Sequence, residues 1–225
     1  MTIISSQIVI NIDEEKVLAD IGYNGNCGPP ARMRTLVHEY ARNATQLINP
    51  AYTHVIRNID FVVGRTVYIE GGSTFKSHVI SGLLKNCEQV AVFALTIDSY
   101  LEEAASQLAD DGLVVQARVL DAIGSNAVEQ VAEHIHKMIT ATASIQGLVT
   151  SQRFSPGYCD WNIVQQEMLF RTMNGSSSFI KMTDRYLMIP QKSISGIMGI
   201  GTREDDVANY NPCKTCERQG CAGRR

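Results

Sequence analysis

Val90-Ala91-Val92-Phe93-Ala94-Leu95-Thr96-Ile97 most limits what this chain can become. All but Thr96 are apolar, and there is no polar–apolar alternation. β-branched and aromatic side chains suit a pleated strand. With no polar face, such a strand is central in its sheet and covered on both sides. Helical patterns supply the cover. The longest runs from Leu113 to about Ala143, where Leu113, Ala117, Leu120, Ile123, Ala127, Val131 and Ile135 fall near one face. Gly124 and Ser125 interrupt it, the glycine at about 1 kcal/mol relative to alanine. Small residues there permit the close approach of a neighbour or ligand.

The remaining pattern alternates strands and helices irregularly. Residues 6–11 read as a strand, and Asp13-Glu14-Glu15 starts a short acidic helix through Ile21. Gly22 to Pro30 is a loop, followed by a helix from Pro30 to Ile48. Ala51–Asp60 and Arg65–Glu70 read as strands about a hairpin-like turn. Ser73 is placed to cap a helix through Leu84. Ser99-x-x-Glu102 has capping-box spacing and opens a helix to about Leu108. Trp161 to Met173 is helical and is stopped by Asn174-Gly175. A strand or two lie between Ile180 and Ile189, and Pro190–Gly196 is polar and turn-prone. Ile197–Gly201 is a strand whose glycines invite close packing. Residues 202–212 read as charged, irregular and mobile.

These elements lack strict βαβ order. The expected fold is α+β: a single domain over 1–201 with a largely antiparallel mixed sheet flanked by helices. Residues 202–225 form a short, cysteine-containing tail. No dinucleotide fingerprint, Walker motif or nucleophile elbow is present. A net charge of −3 gives no electrostatic case for nucleic acid or an anionic membrane. The N-terminus has no basic region of a signal peptide and no apolar run reaches a membrane span, so a cytoplasmic location is expected.

Arg153-Phe154-Ser155-Pro156-Gly157-Tyr158-Cys159-Asp160-Trp161 concentrates a cation, a Pro-Gly turn, three aromatics and a thiol. Pro156 fixes its own φ and disfavours a helical Ser155, while Gly157 supplies a positive φ. Asp160 is placed to cap the following helix. By itself the stretch is either a rigid connector or a binding turn. Glu129 and Glu133, one helical turn apart, read as a solvated stripe or as an acid–base pair.

Three pieces in order carry a resemblance: Glu129-x-x-Ala132-Glu133-x-x-His136, then Arg153-x-x-Pro156-Gly157-Tyr158, then Ser193-x-Ser195-Gly196. The chain resembles the activation domain of cobalamin-dependent methionine synthase in its free-standing form, most strongly over about 127–201. The resemblance implies an S-adenosylmethionine-binding module that supports reductive methylation of cob(II)alamin. The cobalamin would be carried by a separate corrinoid methyltransferase, and a flavodoxin- or ferredoxin-type partner would supply the electron. It makes the chain an accessory to methyl transfer, with no catalytic base of its own, since the hard chemistry belongs to the cofactor.

The resemblance also assigns residues. Arg153 offers a planar donor fork to the ligand carboxylate. Glu129 pairs with a ligand cation or helps position the cobalamin side. Ser155 and Gly157 offer backbone groups to the adenine, and Tyr158 offers its face to the adenosyl group unless it folds onto the core. Ser193 and Ser195 either shape the rim or are simple turn residues.

Cys213-x-x-Cys216-x-x-x-x-Cys221 is a separate signal, since disulfides are not expected in a cytosolic chain. The first spacing lets two thiolates share a metal, and the third can fold back. Three thiolates want a fourth ligand, and Cys159 in the central turn is the candidate. Zinc, an iron–sulfur cluster or an unmetallated tail all remain open. Cys27 and Cys87 read as buried thiols. Two further functions stay in view: a small-molecule-binding adaptor or sensor, and an iron–sulfur electron donor to a corrinoid protein.

Overall fold

A computed structural model describes residues 8–24, 28–202, 206–214 and 216. The helices are α1 (Glu14–Asp20), α2 (Ala31–Ala44), α3 (His78–Leu84), α4 (Tyr100–Asp110), α5 (Val114–Ile145) and α6 (Gln166–Thr172). The strands are β1 (Ala51–Val63), β2 (Thr66–Ile69), β3 (Ser73–Lys76), β4 (Gln89–Thr96), β5 (Val149–Thr150), β6 (Lys181–Met182), β7 (Met188–Ile189) and β8 (Ser193–Gly201). Six of them form one sheet in the order β3-β2-β1-β4-β8-β5, and β6-β7 form a small separate hairpin. The fold is α+β and one domain, as expected. Every pairing is antiparallel, so the sheet is not mixed.

β4 sits between β1 and β8 with every residue from Val90 to Leu95 fully buried. Ala91, Phe93 and Leu95 face α5, meeting Ala127, Val131, Ile135 and Ile139. Val90, Val92 and Ala94 face the opposite layer, where Ile80, Leu83 and Leu84 of α3 and Leu169 of α6 pack with Trp161. Burying each large side chain contributes roughly 2 kcal/mol, so this strand has no stable position at an edge. A third cluster joins α1, α2 and α4 to the N-terminal half of α5 through Val17, Val37, Leu101 and Ile123.

α5 is one continuous helix of 32 residues. Gly124 does not break it. A Cβ there would stand 2.8 Å from Leu101 Cδ2 and 3.2 Å from Lys192 Cε. The glycine admits α4 and the Lys192 stem, while Lys192 Nζ donates to Ser125 Oγ (3.0 Å) and pairs with Asp121 (2.6 Å). The expected close approach is therefore real, and its occupant is this chain.

Several local expectations are corrected. Residues 8–12 form no strand. They run extended along α5, held by Gln130, whose Oε1 accepts from Asn11 N (2.9 Å) and whose Nε2 donates to Asn11 O (2.7 Å). Residues 6 and 7 of that stretch lie outside the described residues. Ser73 starts β3, and the helix cap is Ser77, whose Oγ accepts from Ile80 N at 3.0 Å. The Ser99 side chain caps nothing. Glu102 instead accepts from the backbone N–H of Gln191 (2.8 Å) and Lys192 (3.3 Å). The turn-prone Ser193–Gly196 is the start of β8. The stretch after Trp161 begins with a 3₁₀ turn, Ile163–Gln165, before α6.

Within the segment read as mobile, the described residues lie on the body. Val207 is fully buried. The Tyr210 ring lies 6.1 Å from that of Phe154, and its hydroxyl donates to Val79 O at 2.8 Å. Arg203, Glu204 and Asp205 lie outside the described residues. No described helix is long and apolar enough to cross a membrane.

Candidate functional site

The site is built along the side of β8 that faces away from β4. After α5 the chain turns back and pairs with that strand through Val149 and Thr150. Ser151 extends the pairing: its N–H donates to Gly199 O (2.9 Å) and its Oγ accepts from Gly199 N (2.9 Å). Phe154 and Ile197 then exchange both backbone bonds, at 3.0 and 2.8 Å. Between these anchors Arg153 turns toward α5.

Arg153 Nη2 pairs with Glu129 Oε2 at 3.3 Å. The arginine side chain is 24% exposed and the glutamate 50%. Arg153 Nη1 is buried and has no partner among the described residues. A buried guanidinium nitrogen without an acceptor is costly, so this corner is electrostatically incomplete. His136, on the same helix as Glu129, has its pKa lowered by burial. Glu133 works against that shift, and the Arg153 and Lys137 charges add to it. Glu133 pairs with Lys137 at 3.6 Å, whereas Glu129, equally exposed, pairs with Arg153.

The Pro-Gly stretch is two tight turns in succession. Ser155–Tyr158 has Gly157 at φ 95° in its third position, closed by Tyr158 N donating to Ser155 O at 3.4 Å. That is the type II arrangement, which favours Pro then Gly at its centre. Tyr158–Trp161 follows, closed at 3.0 Å, with Cys159 at φ 52°. Gly157 N also donates to Trp161 O at 2.7 Å, locking the two turns together. The Gly157 N–H is thus already used within the turn. Tyr158 is 71% exposed, so its ring is not folded onto the core.

Asp160 does not cap the helix that follows; Asn162 does, accepting from Val164 N at 3.0 Å. Asp160 reaches back to the start of α3, accepting from Ser77 Oγ (2.6 Å), His78 N (2.5 Å) and Val79 N (3.2 Å). Burial opposes its ionisation. The hydrogen bonds from Ser77, His78 and Val79 outweigh burial and hold the carboxyl below its usual range. A cap is legible in sequence only when it is local, and this one spans the chain.

The three motif pieces converge. A Cβ on Gly196 would meet Phe154 O at 2.5 Å, Phe93 Cζ at 3.0 Å and Ser155 Oγ at 3.1 Å. Gly196 is therefore the floor on which the Arg153 turn lies, a role the sequence reading did not give it. Ser193 donates to Pro190 O at 2.6 Å, and Ser195 Oγ is buried without a described partner. Both lie inside β8 and not in a turn.

The described tail cysteines come to the same turn. Burial, then the hydrogen bond and charge of Cys216, then Cys213 and Asp160, push the Cys159 thiol up to about 11. No disulfide joins the described cysteines. Among the described residues no three His, Cys, Asp or Glu side chains are grouped as a metal site. Cys221 and Cys27 lie outside those residues. Cys87, expected to be a buried thiol, is only partly buried; its pKa is raised to about 12 by burial and by Glu88.

Among curated proteins none matches the chain. A crystal structure of the MetH reactivation domain bound to AdoHcy matches with a TM-score of 0.59 at 14% sequence identity. The match covers 75% of this chain and 65% of that one, so the chain spans less than two thirds of that structure's length. This likeness establishes the fold. The family model for the activation domain of vitamin B12-dependent methionine synthase matches residues 80–219, more than half of the chain. That span holds α5, the Arg153 turn and β8 together, and the chain belongs to the family of vitamin B12-dependent methionine synthase activation domains.

Proposed function

We propose that the chain binds S-adenosylmethionine at the corner formed by Arg153, Glu129 and the Ser155–Tyr158 turn, and there supports reductive reactivation of a cobalamin-dependent methionine synthase carried on another polypeptide. The observation that carries this reading is the buried, unpartnered Nη1 of Arg153. The ligand's carboxylate is the acceptor that this nitrogen lacks, and Nη2 stays with Glu129. A guanidinium suits that task because its donors lie in one plane and stay charged at any working pH. Family membership and a structural relative solved with AdoHcy support the same choice of ligand.

When bound, S-adenosylmethionine supplies an activated methyl group, and the partner's cobalamin is its acceptor. This chain's own residues bind and orient. Glu129 holds the guanidinium, and its second oxygen faces whatever cation the ligand brings. Tyr158, exposed at the tip of the turn, offers a flat face to the adenosyl portion. Ser155 lies against Gly196, so its position is set by β8. No residue is assigned as a base. The same reading gives the electron to a flavodoxin- or ferredoxin-type donor.

Titration calorimetry with S-adenosylmethionine and with S-adenosylhomocysteine tests the site. A charge-assisted contact to a carboxylate contributes roughly 1.5–3 kcal/mol, so Arg153→Ala should bind at least about tenfold more weakly. Equal affinity of wild type and Arg153→Ala, both folded, would remove Arg153 from the site. Absence of binding to wild type, with and without a cobalamin-loaded methionine synthase, would overturn the reading.

A further inference from the structure

The Ser155–Tyr158 turn is held at two ends. Its near end lies on β8, at Gly196 and the Phe154–Ile197 bridge. Its far end is tied to the junction between β3 and α3, where His78 lies 82 residues earlier in the chain than its partner Asp160. Three attachments meet there. Asp160 Oδ1 accepts from Ser77 Oγ (2.6 Å) and Val79 N (3.2 Å), and its Oδ2 accepts from His78 N (2.5 Å). The buried Trp161 ring meets Phe75 edge-on, with ring centres 5.4 Å apart. Gln165 closes a two-way bond with the Lys76 backbone, accepting from its N–H at 2.6 Å and donating to its carbonyl at 2.5 Å. Residues 75–79 thus form one seat for residues 160–165.

The turn needs such a seat. Cys159 has a φ of 52°, which is disfavoured for a residue carrying a Cβ. The bond that closes the first turn, Tyr158 N to Ser155 O, is long at 3.4 Å. Local geometry alone therefore holds the turn weakly. The short bond is the one to Trp161, whose carbonyl accepts from Gly157 N at 2.7 Å. Whatever fixes Trp161 fixes the ligand turn with it. Asp160, its chain neighbour, supplies that fixing from α3. Ser77 orients the carboxylate: its Oγ accepts from Ile80 N at 3.0 Å and spends its own proton on Asp160.

We propose that Asp160 is the positioning residue of the S-adenosylmethionine turn, acting with Ser77 through Trp161 and Gly157 and touching no ligand itself. This inference rests on the function proposed above. It makes affinity depend on a junction remote from Arg153. A turn that visits its binding geometry about a tenth of the time binds about tenfold more weakly, however good its contacts are. Saturating ligand should in turn restore order to a turn that has lost its anchor.

Trp161 is the one tryptophan of the chain, so its fluorescence reads the far end of the turn directly. The test combines that emission with calorimetric titration of S-adenosylhomocysteine into the full chain. Asp160→Ala should shift the emission to longer wavelength, bind at least about tenfold more weakly, and recover the wild-type emission at saturating ligand. Asp160→Asn keeps one acceptor oxygen and guards against misfolding of the alanine variant; its loss should be about threefold. Adding Ser77→Ala to Asp160→Ala should weaken binding no further, because the two residues act in one chain of contacts. Val37→Ala is the stability control, since Val37 is fully buried in a separate cluster with α1 and α4. It should lower stability yet keep wild-type affinity and emission. Wild-type affinity in folded Asp160→Ala and Asp160→Asn would overturn the proposal alone. So would an affinity loss in Val37→Ala equal to that of Asp160→Ala, which would make the effect one of general stability. Wild type that binds no ligand would overturn the function reading and this proposal with it.

Discussion

Asp160→Ala should lower stability by about 3 kcal/mol, although Asp160 sits in a turn and touches no ligand. Its carboxylate takes three hydrogen bonds at the first turn of α3, from Ser77 Oγ, His78 N and Val79 N. Hydrogen bonds to a charged group contribute roughly 1.5–3 kcal/mol each, and an N-terminal cap typically about 1 kcal/mol. Water replaces part of this at His78, which is exposed, so the total is below a simple sum. Asp160→Asn keeps an acceptor and should cost about half as much. Urea unfolding at neutral pH measures both.

The same residue sets an acid limit. Its folded-state pKa lies below the unfolded one, so the unfolded chain takes up a proton first as pH falls. The contribution is fully present above about pH 4, the ordinary aspartate range. It is lost as pH drops through the lower folded-state value. Asp160→Asn should therefore flatten the stability profile below about pH 4 and, above it, lower stability by a constant amount without changing the slope. A variant whose acid slope equals that of wild type would show that other carboxylates dominate.

Gly196→Ala carries the second large effect. The added methyl would stand 2.5 Å from a backbone oxygen, Phe154 O, and 3.0 Å from Phe93 Cζ. Neither yields easily: the first belongs to the Phe154–Ile197 bridge and the second to a fully buried ring. Overpacking typically costs 1–3 kcal/mol, and this case belongs near about 3 kcal/mol. The strain falls on residues 153–155, so S-adenosylmethionine binding should weaken along with stability. Gly28→Ala is the control. Nothing lies within 4 Å of its added methyl, and the change should stay within about 0.5 kcal/mol. Hydrogen exchange at Phe154 and Ile197 would show whether the bridge has opened.

Sequence reading reached the elements whose signal is local and repetitive. β4 was legible because apolar residues on both faces admit only a central strand. α5 was legible from its apolar periodicity, and the expected close approach at Gly124 holds. What failed depends on partners distant in sequence. Asp160, Ser99 and Ser73 are all of a type that can cap, yet only Asp160 meets a helix end, and that end is 82 residues away. Residues 8–12 have strand-like alternation, yet their hydrogen bonds go to Gln130 on α5 in place of a ladder. At the site, Arg153 and Glu129 were both named, but their pairing was not. Nothing in a sequence states that positions 129 and 153 lie 3.3 Å apart. Gly196 escaped notice as a site residue because its contribution is the absence of a side chain.

Arg153 and Glu129 are mounted very differently. The glutamate rides on a helix whose neighbouring residues Val128, Val131 and Ala132 are locked in the core. The arginine rides on an irregular edge segment held by one bridge at Phe154 and by Ser151. One partner is an anvil and the other a hinged arm. Any anion that competes for the guanidinium will therefore be met by movement of the arm, and the displacement will pass into Phe154 and the turn beyond it. Because the Tyr210 ring leans on Phe154, a change at this corner has a mechanical route to the segment around Val207 and Tyr210.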